Sequence, residues 1–135
     1  MTEAEVEIEI PFHDVDASGV VWHGHYVKYM EIARCVLLDK IDYNYTQMKV
    51  SGYAWPVIDL RIRYPQPLYF QQKIRVRARL EEWENCLKIS YLIEDLNTEQ
   101  RLTKAYTVQV AIDMETGEML YVSPNILSQK LGNIS

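Results

Sequence analysis

The stretch His13-Asp-Val-Asp-Ala-Ser-Gly-Val-Val-Trp-His-Gly-His-Tyr26 lies between a segment of alternating residues and a segment with helical spacing. It contains two aspartates, two glycines and all three histidines of the 135-residue chain. This arrangement predicts a strand-to-helix junction, where the first backbone N–H groups of a helix have no intrahelical acceptor. We expect the functional chemistry at this junction, with the rest of the chain as its support.

The segments on either side of the junction predict one strand and one long helix. Residues 5–12 alternate between apolar residues and glutamates, the pattern of a half-buried strand. From about residue 24 to residue 41, apolar residues recur at helical spacing: Tyr26, Tyr29, Met30, Ala33, Leu37 and Ile41. Because other faces of this helix also carry apolar side chains, we expect it to be buried on several sides, with a sheet around it.

The remainder of the chain predicts strands and two short helices. Alternation of apolar and polar residues predicts strands over residues 55–64, 73–83, 86–96, 102–112 and 119–122. Short helices are expected within residues 42–52 and from 124 to about 131. Alternating β-α units are absent, which disfavours a doubly wound parallel sheet. We therefore predict an α+β fold: one domain over residues 1–135, with an antiparallel sheet of five or six strands curled around one long central helix.

Composition narrows the classes of partner and location. The net charge is −5, from 19 acidic and 14 basic residues, which argues against nucleic acid as a partner because phosphate binding needs a basic face. The two cysteines, Cys35 and Cys86, lie far apart and are expected to be reduced thiols. No apolar run reaches the ~20 residues of a membrane span, and no secretory signal pattern is present. A cytoplasmic protein without a membrane span is expected.

The junction offers residues for acyl transfer to water. Asp16 precedes His23, next to the expected helix start, by seven residues, and Gly19 can fold the intervening loop back toward that start. The N–H groups near His23 could polarise a carbonyl oxygen, and the positive helix end would keep a nearby carboxylate ionised. Asp16 could equally bond only the amides of its own turn. His23 and His25 have no second cluster of ligands, so we expect neither a metal nor a cofactor.

A known family shares this pattern. Asp16-Ala-Ser-Gly19-Val-Val-Trp-His23-Gly-His-Tyr26, followed by Glu31-Ile-Ala-Arg34, resembles the signature of the 4-hydroxybenzoyl-CoA thioesterase-like branch of the hot-dog-fold superfamily. That signature is D-x-x-G-x-V-x-H-x-x-Y followed by E-x-A-R. The predicted order of elements also follows the family's order over nearly the whole chain.

The resemblance implies an acyl-CoA thioesterase. Asp16 would act as nucleophile or general base, and His23 would supply the backbone N–H that polarises the thioester carbonyl. The residues expected to bind or shape the substrate pocket are Gly19, Val20, Gly24, Tyr26, Glu31, Arg34 and Trp55. The family also implies a homodimer, commonly assembled into a tetramer, with the acyl group at the dimer interface.

Other interpretations remain open at this level. Family members that use coenzyme A often carry basic residues after the position of Trp83, where this chain has Glu84-Asn85-Cys86, so the thioester could be carried by an acyl carrier protein. A non-catalytic module that binds acyl-pantetheine is a second alternative. A dehydratase using His23 and Glu31 is a third, although its H-F-P arrangement is missing. Glu31 and Arg34 could form only an ordinary ion pair, and the basic row of Lys73, Arg75, Arg77 and Arg79 could be a solvated strand face or a surface that receives the partner.

Overall fold

A computed structural model describes residues 2–132 of the chain. Two short 3-10 turns, Phe12–Asp14 and His23–His25, lie between the first strand and the long helix. The helices are α1 (Tyr26–Lys40), α2 (Tyr45–Val50) and α3 (Asn125–Gly132). The strands are β1 (Glu3–Glu9), β2 (Tyr53–Ala54), β3 (Val57–Arg63), β4 (Lys73–Glu82), β5 (Leu87–Asp95), β6 (Arg101–Gln109) and β7 (Ile112–Asp113).

Five strands form one antiparallel sheet in the order β1-β4-β5-β6-β3. Helix α1 packs against β1 and β4 on the inner face of this sheet. The α+β architecture with a five-stranded sheet and one long helix is therefore confirmed. Strands β2 and β7 pair with each other in a separate two-stranded ribbon.

Alternation along the strands sends apolar side chains toward α1. In β4 and β5 every second residue is buried, from Ile74 to Leu80 and from Leu87 to Ile93. In β6 the buried residues include the small side chains of Thr103, Ala105 and Thr107, with the larger Leu102 and Gln109 at the two ends of the strand. Small side chains on a sheet face leave room for a packed element.

Several predicted boundaries are wrong. The strand predicted over residues 5–12 ends at Glu9, and the strand predicted over 102–112 is divided between β6 and β7. Residues 119–122 do not form a strand, because only Met119 makes a single bridge, to Ile112. Tyr121 and Val122 are largely exposed, so extending the strand pairing through them would bury little apolar surface. Helix α1 begins at Tyr26 instead of residue 24, because the chain first makes the tighter turn His23–His25.

One edge of the sheet and one face of α1 remain uncovered in the single chain. Strand β3 is an edge strand, and all of its residues except Ile62 are exposed. Its exposed apolar side chains are Val57, Ile58 and Leu60; those of α1 are Val27, Ile32 and Val36. The helix is thus buried on fewer sides in one chain than its sequence predicts. Within residues 2–132, no helix combines the length and the apolar character needed to cross a membrane.

Candidate active site

The loop that carries Asp16 is a miniature hairpin. Val15 and Val21 form an antiparallel bridge, and the Asp16 N–H donates to the Val20 carbonyl at 2.8 Å. The Gly19 N–H donates to the Asp16 carbonyl at 3.0 Å, and Gly19 has a φ of +83°. Aspartate at the start of such a turn and glycine at its left-handed position are the residues that this geometry favours. The local sequence therefore determines how the Asp16 carboxylate is presented.

Replacing Gly19 with alanine is expected to lower the free energy of unfolding by about 1–2 kcal/mol, because a side chain is strained at this positive φ. No neighbouring atom lies within 4 Å of the added Cβ, so the cost comes from the backbone alone. Urea unfolding measures the change. The control is Gly132→Ala, at a helical glycine that also has open space around it; equal effects of the two substitutions would contradict this origin.

The side chain of Asp16 is exposed and held by its own turn. Its Oδ1 accepts a hydrogen bond from the Ser18 hydroxyl at 2.6 Å and another from the Ser18 N–H at 2.9 Å. The hydroxyl first, and then the backbone N–H, hold the pKa of Asp16 below its usual range. Asp16 is therefore an ionised carboxylate at neutral pH, which can act as a base or a nucleophile but not as an acid.

The turn His23–His25 brings free backbone donors to the start of α1. The Val21 N–H donates to the Leu68 carbonyl at 2.8 Å and the Trp22 N–H to the Asp14 carbonyl at 3.1 Å, so the chain entering the turn is held on both sides. Within residues 2–132, no acceptor is bonded to the backbone N–H of His23 or Gly24. Such groups at a helix start are suited to an oxygen that carries negative charge.

The hairpin and the start of α1 enclose a cavity of about 290 Å³. Four residues predicted for the site line it: Asp16, Val20, His23 and Tyr26. The opposite wall is made of Tyr64, Pro65 and Pro67 from the segment after β3, with Val21 and Trp22 completing the lining. The structure thus brings the ionised carboxylate of Asp16 and the residue His23, whose backbone N–H has no acceptor within residues 2–132, to one mostly apolar hollow.

Aromatic rings shape this cavity. The rings of His23 and Tyr64 are parallel within 5° with their centroids 6.4 Å apart, and the ring of Tyr26 lies 5.2 Å from that of Tyr64. Burial raises the pKa of Tyr26, so its phenol is protonated at neutral pH. The walls therefore offer apolar ring surface to an acyl chain.

Three predicted pocket residues do not line the cavity and have other contacts. Gly24 lies against the Trp22 ring, so that a Cβ at this position would fall within 3.0 Å of three ring atoms. The Glu31 carboxylate lies 3.3 Å from the Arg34 guanidinium, so the two residues form an i,i+3 ion pair. Arg34 is buried, with its guanidinium carbon 5.9 Å from the centroid of the Tyr45 ring.

The other two predicted pocket residues also lie outside the cavity lining. Gly19 forms the bend of the hairpin. Trp55 is buried in the core; its indole N–H donates to the Tyr43 hydroxyl at 3.2 Å, and its carbonyl accepts from Gln109 at 2.7 Å. For Gly19, Gly24, Glu31, Arg34 and Trp55, a role in substrate binding stays a prediction.

Asp14, which the sequence analysis did not single out as a functional residue, forms the support behind the site. It is buried, and its carboxylate accepts hydrogen bonds from the Lys28 ammonium at 2.6 Å and from the Tyr29 hydroxyl at 2.6 Å. Burial alone would raise the pKa of Asp14, but the bonds from Lys28 and Tyr29 outweigh it and hold the pKa below its usual range. Asp14 therefore ties the loop to the first turn of α1.

Sequence reasoning also missed the wall formed by Tyr64, Pro65 and Pro67. These residues interrupt the sheet, since β3 ends at Arg63. A signal was available in the two prolines, whose restricted backbone makes a rigid loop wall. Among the residues described, no group of three or more histidine, cysteine, aspartate or glutamate side chains lies close enough to hold a metal ion.

Comparison with known proteins identifies the family. The model of the thioesterase-like superfamily matches residues 10–129. The chain belongs to this superfamily. A relative from Bacillus subtilis (strain 168), named "Putative acyl-CoA thioesterase YneP", is 29% identical over 117 residues, which cover 86% of this chain and 84% of the relative.

Solved structures of two named thioesterases share the fold. A DHNA-CoA thioesterase from Staphylococcus aureus superposes with a TM-score of 0.80 at 25% identity, over 90% of this chain and 81% of that one. A 1,4-dihydroxy-2-naphthoyl-CoA thioesterase from Synechocystis has a TM-score of 0.85 at 17% identity, over 98% of this chain and 97% of that one. These likenesses confirm the predicted hot-dog fold.

Proposed function

We propose that this member of the thioesterase-like superfamily hydrolyses acyl-CoA thioesters. The observation that carries the proposal is the cavity that Asp16 and His23 line together, because Asp16 is an ionised carboxylate and the backbone N–H of His23 has no acceptor within residues 2–132. Membership of the superfamily and the relative named as an acyl-CoA thioesterase support the same reaction.

The proposed reaction assigns roles to atoms of this cavity. The thioester carbonyl oxygen lies against the N–H groups of His23 and Gly24, which stabilise the negative charge that grows as the carbonyl carbon is attacked. In one route Asp16 removes a proton from water, and the resulting hydroxide adds to that carbon. In the other, an Asp16 oxygen adds first and water then cleaves the acyl-aspartate. In both, the C–S bond breaks, the electron pair leaves with sulfur, and the thiolate takes up a proton.

Hydrolysis assays with a series of acyl-CoA thioesters test the proposal. Chain length and aromatic acyl groups are varied, and thiol release is measured. The same acyl groups on an acyl carrier protein distinguish the carrier, and a 3-hydroxyacyl-CoA tests for loss of water. Thiol release with catalytic turnover supports the proposal, whereas binding of every thioester without turnover would favour the acyl-pantetheine binding module.

The Ser18→Ala variant should move the acid limb of the pH–rate profile to higher pH. The Ser18 hydroxyl stabilises the ionised form of Asp16, so its removal raises the pKa of the carboxylate. A base or nucleophile is active above its pKa and is lost as pH falls through it, so kcat/KM should decline at a higher pH in the variant than in wild type. The control is Ser90→Ala, which removes a 2.7 Å bond to the Glu81 carboxylate elsewhere; an acid limb that stays unmoved in Ser18→Ala would argue against Asp16.

We propose further that the active protein is a homodimer, which can assemble into a tetramer. The edge strand β3 has unpaired backbone groups on its outer side and exposes Val57, Ile58 and Leu60. Pairing two copies of β3 across a two-fold axis satisfies those groups and covers these side chains. The exposed apolar face of α1 offers further surface for assembly.

The Leu60→Glu variant is expected to shift the protein from dimer to monomer at micromolar concentration, because it places a carboxylate on the apolar side of the proposed interface. Leu60 pairs in register with the buried Thr107, on the inner face, whereas the neighbouring Arg61 pairs with Tyr106 on the outer face. Arg61→Gln is therefore the control and should leave the assembly unchanged. Sedimentation velocity measures both, and a wild-type chain that sediments as a monomer would contradict the proposal.

A further inference from the structure

A second cavity of about 620 Å³ adjoins the candidate active site. Its lining includes Tyr64 and Pro65, which also form a wall of the first cavity. Its other lining residues are Arg63 at the end of β3 and residues 101–104 at the start of β6. The two hollows are therefore neighbours across one dipeptide.

The second cavity is basic and lacks acidic partners. Arg63, Arg101 and Lys104 line it, and no carboxylate of residues 2–132 lies within 4.0 Å of their charged nitrogens. Arg101 and Lys104 also line an adjoining hollow with Lys88, and that lining includes the acidic residues Glu3 and Glu81. Among the described residues that line the second cavity, by contrast, none is acidic. Positive charges gathered without counter-charges around a hollow attract an anion.

Elsewhere on the same face of the sheet, carboxylates lie close to the arginines and neutralise their charge. Arg77 lies 3.2 Å from both Glu5 and Glu94, and Arg75 lies within 4.0 Å of the same two carboxylates. The paired arginines and the unpaired cluster thus share one surface, and only the cluster beside the cavity lacks acids. The chain as a whole has a net charge of −5, so an unpaired basic cluster is a distinct feature of its surface. This cluster is suited to an anionic ligand.

We propose that Arg63, Arg101 and Lys104 bind the phosphate at the end of the substrate's pantetheine arm. This inference rests on the proposed function, because a thioester at Asp16 would project its pantetheine chain away from the carbonyl and across Tyr64 and Pro65. Coenzyme A and an acyl carrier protein both carry a phosphate at the far end of that arm. Two guanidinium groups and one ammonium are the side chains that recognise phosphate oxygens.

Binding of phosphopantetheine and of pantetheine, measured by calorimetry, tests the site without any need for turnover. Wild type should bind phosphopantetheine about tenfold to hundredfold more tightly than pantetheine, the gain expected from charge-assisted hydrogen bonds. The Arg101→Gln/Lys104→Gln variant should lose this preference, and its affinity for pantetheine should be unchanged. The gain should also weaken as salt concentration rises.

A matched variant separates local binding from net charge. Lys49→Gln/Lys73→Gln makes the same change in net charge at two exposed lysines that do not line the cavity and should keep the preference of wild type. Equal affinity of wild type for the two ligands, or an equal loss in both double variants, would overturn the proposal. Binding of coenzyme A and of a carrier protein bearing phosphopantetheine, each compared with phosphopantetheine alone, then identifies which molecule carries the phosphate. Tighter binding of coenzyme A shows that its further phosphates contribute. Tighter binding of the carrier shows that the surface of the carrier protein contributes.

Kinetics with acyl-pantetheine and acyl-phosphopantetheine distinguish this inference from the proposed function. Loss of the phosphate, or of Arg101 and Lys104, should raise KM about tenfold and leave kcat unchanged, because these groups lie away from the reacting carbon. If no thioester is hydrolysed but phosphate-dependent binding remains, the proposed function fails alone. If hydrolysis depends on Asp16 but not on the phosphate, the phosphate site fails alone.

Discussion

Replacing Asp16 with asparagine is expected to lower kcat for acyl-CoA hydrolysis by about 10²–10⁴-fold, the contribution typical of a positioned base. An amide cannot take up the proton of water at neutral pH or form the acyl-aspartate, although it keeps the shape of the carboxylate. Because the hydrogen bonds from Ser18 can still be accepted by the amide oxygen, the turn should persist. Steady-state thiol release gives kcat, and circular dichroism verifies that the variant folds.

Asp95→Asn is the matched control for this experiment. Asp95 also caps a turn: its Oδ1 accepts from the N–H groups of Asn97 and Thr98, each at 2.9 Å, but it does not line the cavity. If the Asp16 carboxylate only accepted the hydrogen bonds of its own turn, the two substitutions would have similar and small effects on kcat. An Asp16→Asn variant with the wild-type rate would show that the Asp16 carboxylate takes no part in the reaction.

Replacing Asp14 with alanine is expected to lower the free energy of unfolding by about 2–4 kcal/mol, because it leaves the buried Tyr29 hydroxyl without its acceptor and Lys28 without its counter-charge. The Lys28 side chain is half-exposed and can regain water, which keeps the cost below that of a fully buried ion. Urea unfolding measures the change. Asp39→Ala, at an exposed aspartate of α1, should have a much smaller effect.

The stabilisation from Asp14 should depend on pH in a defined direction. The folded protein holds the pKa of Asp14 below its unfolded value of about 3.9, so the carboxylate stabilises the fold above that value. The contribution is lost as pH falls through the lower, folded pKa. The difference in unfolding free energy between wild type and Asp14→Ala should therefore be constant above about pH 5 and shrink below about pH 4. A difference that stays constant down to pH 2 would show that packing, not charge, is its source.

Most of the fold could be predicted from local patterns. Strands β4 and β5 alternate so regularly that both burial and pairing follow, and the small residues of β6 mark the face turned toward the core. The turn Asp16–Gly19 is likewise local, because an aspartate and a left-handed glycine determine its geometry. For this reason the position of Asp16 beside the start of α1 could be anticipated.

The rest depended on contacts between distant parts of the chain. Nothing in the local pattern shows that Tyr64 lies over His23, because that contact depends on how the segment after β3 returns to the loop. Asp14 and Asp16 are two residues apart, yet one is buried against Tyr29 and the other is exposed. Only the tertiary structure distinguishes the supporting aspartate from the candidate catalytic one. Trp55 illustrates the same difficulty, since its hydrogen bonds are made to Tyr43 and Gln109.

The most direct test of the proposed mechanism is a crystal structure with a non-hydrolysable thioester analogue bound. We expect the analogue's carbonyl oxygen to lie about 2.7–3.1 Å from the backbone nitrogen of His23 or Gly24, with an Asp16 oxygen within reach of the carbonyl carbon or of a water beside it. An analogue whose carbonyl lies outside the cavity of Asp16 and His23, or contacts neither amide, would contradict the mechanism.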